Sequence, residues 1–170
     1  MTAATHLILG GARSGKSRHA QTLAEAFDGD LLFVATGEAF DAEMADRIAR
    51  HRADRGPRWQ VVEAPLDLAG TVARHAAPGR LLLIDCLTLW TANLLHAERD
   101  AESEADTLVA ALRASAGPVI LVSNEVGLGI VPDNALARAF RDAAGRINQA
   151  VAAAADRVTF VAAGLPLTLK

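Results

Sequence analysis

The sequence predicts an α/β fold built on a mostly parallel sheet with helices on both faces. Two observations predict it. Short, nearly continuous apolar runs rich in β-formers alternate with helical stretches along the 170 residues, the pattern of parallel strands covered on both sides. The first of these runs also leads straight into a glycine-rich turn and then a helix. The expected strands are 6–9, 31–35, 60–62, 81–84, 119–123 and 158–162. The expected helices are 17–27, 41–54, 66–76, 88–114 and 134–155. Within 88–114, residues 96–103 are polar enough for a loop or a break between two helices. Asp133 or Asn134, just after Pro132, suits the N-cap of the last helix. In that helix Leu136, Phe140, Ile147, Val151 and Ala154 share one face at helical spacing. No repeat or long linker divides the chain, so residues 1–170 read as one domain.

The turn after the first strand is Gly10-Gly11-Ala12-Arg13-Ser14-Gly15-Lys16-Ser17. It fits G-x-x-x-x-G-K-[ST] at every fixed position, in the strand–loop–helix context that the motif requires. Glycines let backbone N–H groups turn inward around phosphate oxygens, and the helix N-terminus adds partial positive charge. Lys16 is then placed for the β- and γ-phosphates, and the Ser17 hydroxyl for Mg²⁺. The fold expectation sharpens accordingly to a P-loop NTPase-like sheet that binds a nucleoside triphosphate.

In such a sheet ligands sit at the carboxyl ends of the strands. Thr36-Gly37-Glu38 follows the second run, Glu63 the third, Asp85 the fourth and Asn124-Glu125 the fifth. Leu81-Leu82-Leu83-Ile84-Asp85 is an apolar strand ending in a carboxylate. Beside a P-loop, that marks Asp85 as a Mg²⁺-site acid; taken alone it could be a helix cap. Glu63 and Asp85 are both candidates to read a base or to bind metal, and the residues leave that choice open. Arg138, Arg141 and Arg146 read equally as phosphate contacts or as a solvated helix face.

Composition sets bounds. A formal net charge of −3 argues against a general nucleic-acid binder. Arginine far outnumbers lysine, which suits bidentate recognition of phosphate. The single cysteine, Cys86, excludes an internal disulfide framework, and it reads as a buried small residue rather than a nucleophile. Neither a signal-peptide pattern nor a membrane-spanning apolar run is present, so a cytoplasmic protein is expected.

Residues 41–52 read as a helix with a basic end. Met44, Ile48 and His51 share one face at i, i+4 and i+7, and spacing alone makes His51 a packed helix-end residue. Arg47, Arg50, Arg52 and Arg55 surround it, however. Cations keep an imidazole neutral and pair with phosphate oxygens, so the same histidine suits phosphoryl or nucleotidyl acceptance.

The segment Gly-Gly-Ala-Arg-Ser-Gly-Lys-Ser-Arg-His-Ala at 10–20 resembles the start of the bifunctional adenosylcobinamide kinase/adenosylcobinamide-phosphate guanylyltransferases. The resemblance continues through Glu43-Met44, His51-Arg52, Trp59, Glu63 and Asp85-Cys86-Leu87-Thr88. It is most specific at Val122-Ser123-Asn124-Glu125-Val126-Gly127-Leu128-Gly129-Ile130-Val131-Pro132. It closes with residues 140–149 and 165–170, and so covers essentially the whole chain. The resemblance implies two reactions: phosphorylation of adenosylcobinamide, then transfer of GMP from GTP through a histidine to give adenosylcobinamide-GDP. The matching histidine is His51; His19 on the first helix is the next candidate. The resemblance further implies ATP and GTP as substrates with Mg²⁺. Nucleotide contacts are implied from residues 10–17, from Val34, Ala35 and Thr36, and from Glu63 and Asp85. It also implies a homotrimer. Two other readings compete on the residues alone: a simple P-loop small-molecule kinase with a structural His51, and a nucleotide-dependent switch or assembly ATPase.

Overall fold

The structure is a computed structural model that describes residues 4–37 and 56–170. The expected helix at 41–54, and His51 with it, lie outside the described residues. The strands are β1 (Thr5–Gly10), β2 (Asp30–Ala35), β3 (Trp59–Glu63), β4 (Arg80–Asp85), β5 (Val119–Asn124), β6 (Arg157–Ala162) and β7 (Leu165–Thr168). The described helices are α1 (Lys16–Glu25), α2 (Leu68–His75), α3 (Leu87–His96), α4 (Ala101–Arg113) and α5 (Ala135–Ala154).

The strands form one seven-stranded sheet in the order β3-β2-β4-β5-β1-β6-β7. β1 to β6 run parallel and β7 is antiparallel to β6. Strand alternation divides the side chains between two cores. Leu7, Leu32, Val34, Leu82, Ile84 and Leu121 meet the apolar faces of α2 to α5, including Trp90, Leu108 and Ile147. Ile8, Leu31, Phe33, Leu83, Ile120 and Val122 face the other way, where Ala20 and Ala24 of α1 cover them.

The break expected at 96–103 is present, and one strand was not expected. The long helix at 88–114 is two helices. α3 ends at His96, Glu98 takes φ 53°, and Asp100 caps α4 by accepting from the Glu102 N–H at 3.0 Å. β7 went unforeseen because all four of its residues are exposed and it shows no alternation. It is an edge strand, the place where Pro166 is tolerated. The turn that joins it to β6 holds Ala163 at φ 51° and Gly164 at φ 80°, two successive left-handed residues that suit a tight hairpin. At the last helix, Asn134 rather than Asp133 is the cap, and its Oδ1 accepts from Ala137 N–H at 2.8 Å.

Candidate nucleotide site

The P-loop leaves β1 between β5 and β6. Gly10 lies opposite Asn124 on one side and Val161 on the other. A Cβ at Gly10 would stand 2.5 Å from Ser14 Oγ and 2.6 Å from the Val161 carbonyl, so only glycine fits where the loop folds back. Gly15 has φ 95° and precedes the first residue of α1. The β6–β7 turn props this loop from outside: Gly164 N–H donates to the Ser14 carbonyl at 2.8 Å. Lys16 opens α1 and is buried, its Nζ donating to the Gly11 carbonyl at 3.1 Å. Ser17 follows it, half-buried, while Ala12 and Arg13 are exposed.

The other expected residues come to the same edge by register. Glu63, Ala35 and Asp85 end three adjacent strands in one row. Alternation places all three on the face that carries α1 and the P-loop, continuing the positions of Trp59, Leu31, Phe33 and Leu83. Asp85 is separated from the P-loop strand by β5, which inserts between β4 and β1.

The 34–36 segment divides by residue. Val34 has its side chain fully buried in the larger core, and Ala35 is half-buried in the rim row. Thr36 is wholly buried; its hydroxyl donates to the Cys86 carbonyl and accepts from the Cys86 N–H, each at 2.8 Å. Asn93 Nδ2 donates to the Thr36 carbonyl at 2.7 Å. The side chains of Val34 and Thr36 thus serve the framework that holds the ends of β2 and β4.

Cys86 is buried, and burial, helped by the neighbouring Asp85 charge, pushes its thiol up to about 11. It stays a neutral thiol at physiological pH, as expected of a packing residue. The α5 arginines also have structural partners. Arg138 donates to the carbonyls of Pro132 and Asp133, Arg141 pairs with Asp142, and Arg146 pairs with Glu102 at 2.7 Å. These contacts fit the helix-face reading of the three and do not decide it against phosphate contact. His19 lies on α1, half-buried.

A glycine-rich phosphate-loop sequence, two carboxylates on its face and a polar strand end between them make a candidate nucleotide site, and comparison with known proteins gives the family that carries it. The family model for cobinamide kinase / cobinamide phosphate guanyltransferase matches residues 6–169. The chain belongs to this family. A bifunctional adenosylcobalamin biosynthesis protein of Pseudomonas aeruginosa, CobP, is 49% identical over 96% of both chains. Similar proteins named CobU, from Salmonella typhimurium and Escherichia coli, are 42% and 41% identical over 96% of this chain and 98% of theirs. The match runs through every element of the sheet, including β7 and the hairpin turn behind the P-loop.

Sequence reasoning passed over that turn and the Thr36–Cys86 fastening. Neither has a local signal. The first joins residues 14 and 164, and the second joins residues 50 apart.

Proposed function

We propose that this chain carries out both reactions of its family. In the first, the γ-phosphoryl group of a nucleoside triphosphate moves to the hydroxyl of adenosylcobinamide, and the diphosphate leaves. In the second, the His51 imidazole attacks the α-phosphorus of GTP and pyrophosphate leaves. The corrinoid phosphate oxygen then displaces the imidazole, giving adenosylcobinamide-GDP. The observation that carries this reading is the family match over 6–169, with the P-loop intact at the carboxyl edge of the sheet.

The chain's own groups supply the first step by position and charge, which is most of what phosphoryl transfer needs. The P-loop amides cradle phosphate oxygens, and Lys16 swings from the Gly11 carbonyl to the β- and γ-phosphates. Glu63 selects guanine in the second step: a carboxylate accepts from the guanine N1–H and exocyclic amine, a pair of donors that adenine lacks on that edge. Ser17 and Asp85 are hard oxygen donors of the type Mg²⁺ takes, with substrate phosphates completing the shell. They fit the ion better than an all-protein cage would, and among the described residues no cluster of three His, Cys, Asp or Glu forms such a cage. When bound, Mg²⁺ offsets charge on the phosphates.

We extend the reading to a cytoplasmic homotrimer. Support for association comes from β7, an edge strand that exposes Leu165 and Leu167, with Leu169 just beyond it. Among the described residues no helix is long and apolar enough to cross a membrane.

The test is covalent labelling. GTP labelled at the α-phosphate should transfer label to the protein, and ATP should do so poorly. The adduct should be labile in acid and stable in alkali, as a phosphoramidate is. His51→Ala should abolish it. Full labelling of that variant overturns the assignment and turns attention to His19, while an acid-stable adduct on the wild type overturns it in favour of a group other than histidine.

A further inference from the structure

Among the described residues, three polar atoms around the P-loop are buried without a hydrogen-bond partner: Ser14 Oγ, Asn124 Oδ1 and Asn148 Oδ1. Buried acceptors left unpaired are costly, and native structures rarely keep them without a reason. Asn124 has the most telling position. Its backbone is fixed on every side. Its N–H donates to Thr88 Oγ1 at 2.7 Å, and its carbonyl accepts from Asn148 Nδ2 at 3.1 Å. The next residue, Glu125, donates its N–H to the Gly10 carbonyl at 3.1 Å. The side chain that this framework holds has an orphaned oxygen.

Register and alternation say where that oxygen stands. Asn124 continues Ile120 and Val122 on the face covered by α1, the face of the P-loop and Asp85. It lies opposite Gly10, the residue that opens the P-loop. Asp85 lies opposite Val122, so Asn124 is one same-face step further toward the rim than Asp85. By register its carboxamide therefore stands between the carboxylate strand and the phosphate loop.

Phosphate oxygens accept hydrogen bonds and do not donate them, so they cannot satisfy an acceptor. An O–H group can. We propose that Asn124 Oδ1 accepts a hydrogen bond from an O–H donor beside the γ-phosphate during phosphoryl transfer, with Thr88 and Asn148 as its positioning residues. This inference rests on the kinase reading above. Two sources bring such a donor to the site: the hydroxyl of the alcohol substrate and a water bound to Mg²⁺. In the first case Asn124 holds the attacking oxygen by its hydrogen and directs a lone pair at phosphorus. The carboxamide takes no proton itself; it orients, and the hydroxyl proton passes to an oxygen of the transferred phosphoryl group as the bond to the leaving diphosphate breaks.

Asn124→Leu keeps the shape and removes the acceptor. Its folding is checked by thermal melting, and Asn124→Ala serves if the leucine variant does not fold. The measurements are kcat and KM for acceptor phosphorylation, and calorimetric affinity for a non-hydrolysable triphosphate analogue across a Mg²⁺ titration. With the alcohol as donor, kcat falls about tenfold to a hundredfold while analogue affinity and the Mg²⁺ midpoint hold. With a metal-bound water as donor, the Mg²⁺ midpoint for analogue binding rises together with the fall in kcat. A folded variant whose kcat and Mg²⁺ midpoint both stay within about twofold of wild type, a change of under about 0.4 kcal/mol, overturns the inference. Wild-type protein that phosphorylates no acceptor sinks the kinase reading and this inference with it, whereas an active wild type beside an unaffected variant sinks the inference alone.

Discussion

On one face of the sheet α2 to α5 bury Leu, Ile and Trp side chains against the strands; on the other, α1 lays little more than Ala20 and Ala24 on them. Among the described residues, the area that helices remove from water therefore concentrates on the first face, where each large side chain stabilises the fold. The second face gains something else. Alanines let a helix approach closely, since interaxial distance follows the side chains at the contact. The start of α1 is thereby brought down beside β5 and β1. That face also carries Glu63, Asp85 and Asn124 at its upper edge. The larger face supplies stability and the smaller one geometry.

Substitutions that separate these roles test the comparison. The largest effect is expected from Leu82→Ala, in the fully buried centre of the larger face. It should cost about 2–5 kcal/mol of unfolding free energy, read by urea denaturation, with little change in affinity for nucleotide at temperatures where the variant is folded. Loss of nucleotide affinity in step with stability would show that the two faces are not separable. Lys16→Ala, on the smaller face, should do the reverse. Kinase turnover should fall at least about a hundredfold, in line with the removal of a preorganised charge, while the melting temperature stays near wild type. Wild-type turnover in that variant would remove the P-loop from the mechanism.

The smallest effect belongs to neither core. Asp67 caps α2, its Oδ1 accepting from Gly70 N–H at 2.9 Å. That hydrogen bond, aided by Arg74, holds its carboxyl below the usual 3.8. A depressed carboxyl contributes fully above its unfolded value and loses that contribution as pH falls through the folded value. Asp67→Ala should therefore cost about 1 kcal/mol at neutral pH, and its difference from wild type should vanish well below pH 3.8. A difference that persists in acid would mean the cost comes from packing rather than charge.

Much of this was legible in the residues. All six parallel strands are foreseen, the inner ones as apolar runs because strands buried on both faces need no polar alternation; β3, at the sheet edge, has no buried residue. Gly10 to Ser17 carries its own signature, because a phosphate cradle needs glycine at fixed offsets. The sheet order was not legible, since nothing local in Leu81–Asp85 says that β5 will come between it and the P-loop. Nor was β7, whose leucines and proline satisfy no core. Asn124 was visible as a polar strand end, but the significance of its oxygen emerges only when alternation, register with Gly10 and the grip of Thr88 are combined. The roles of Thr36 and Gly164 depend on partners far away in sequence, which no window of residues can contain.

The contact between Gly164 and Ser14 bears on how the molecule is made. β1 pairs with β5 and β6 and with no strand near it in sequence, and its phosphate loop rests on a hairpin from the far end of the chain. During synthesis the segment that reads as the nucleotide site emerges well before the strands that flank it. A nascent chain will present Gly10 to Ser17 for more than a hundred residues, from 17 to 119, before the strands that shape them begin to arrive. Nucleotide recognition should thus appear abruptly, once residues beyond 164 have left the ribosome, and an early strand that must wait for distant partners is the kind of topology that folds slowly.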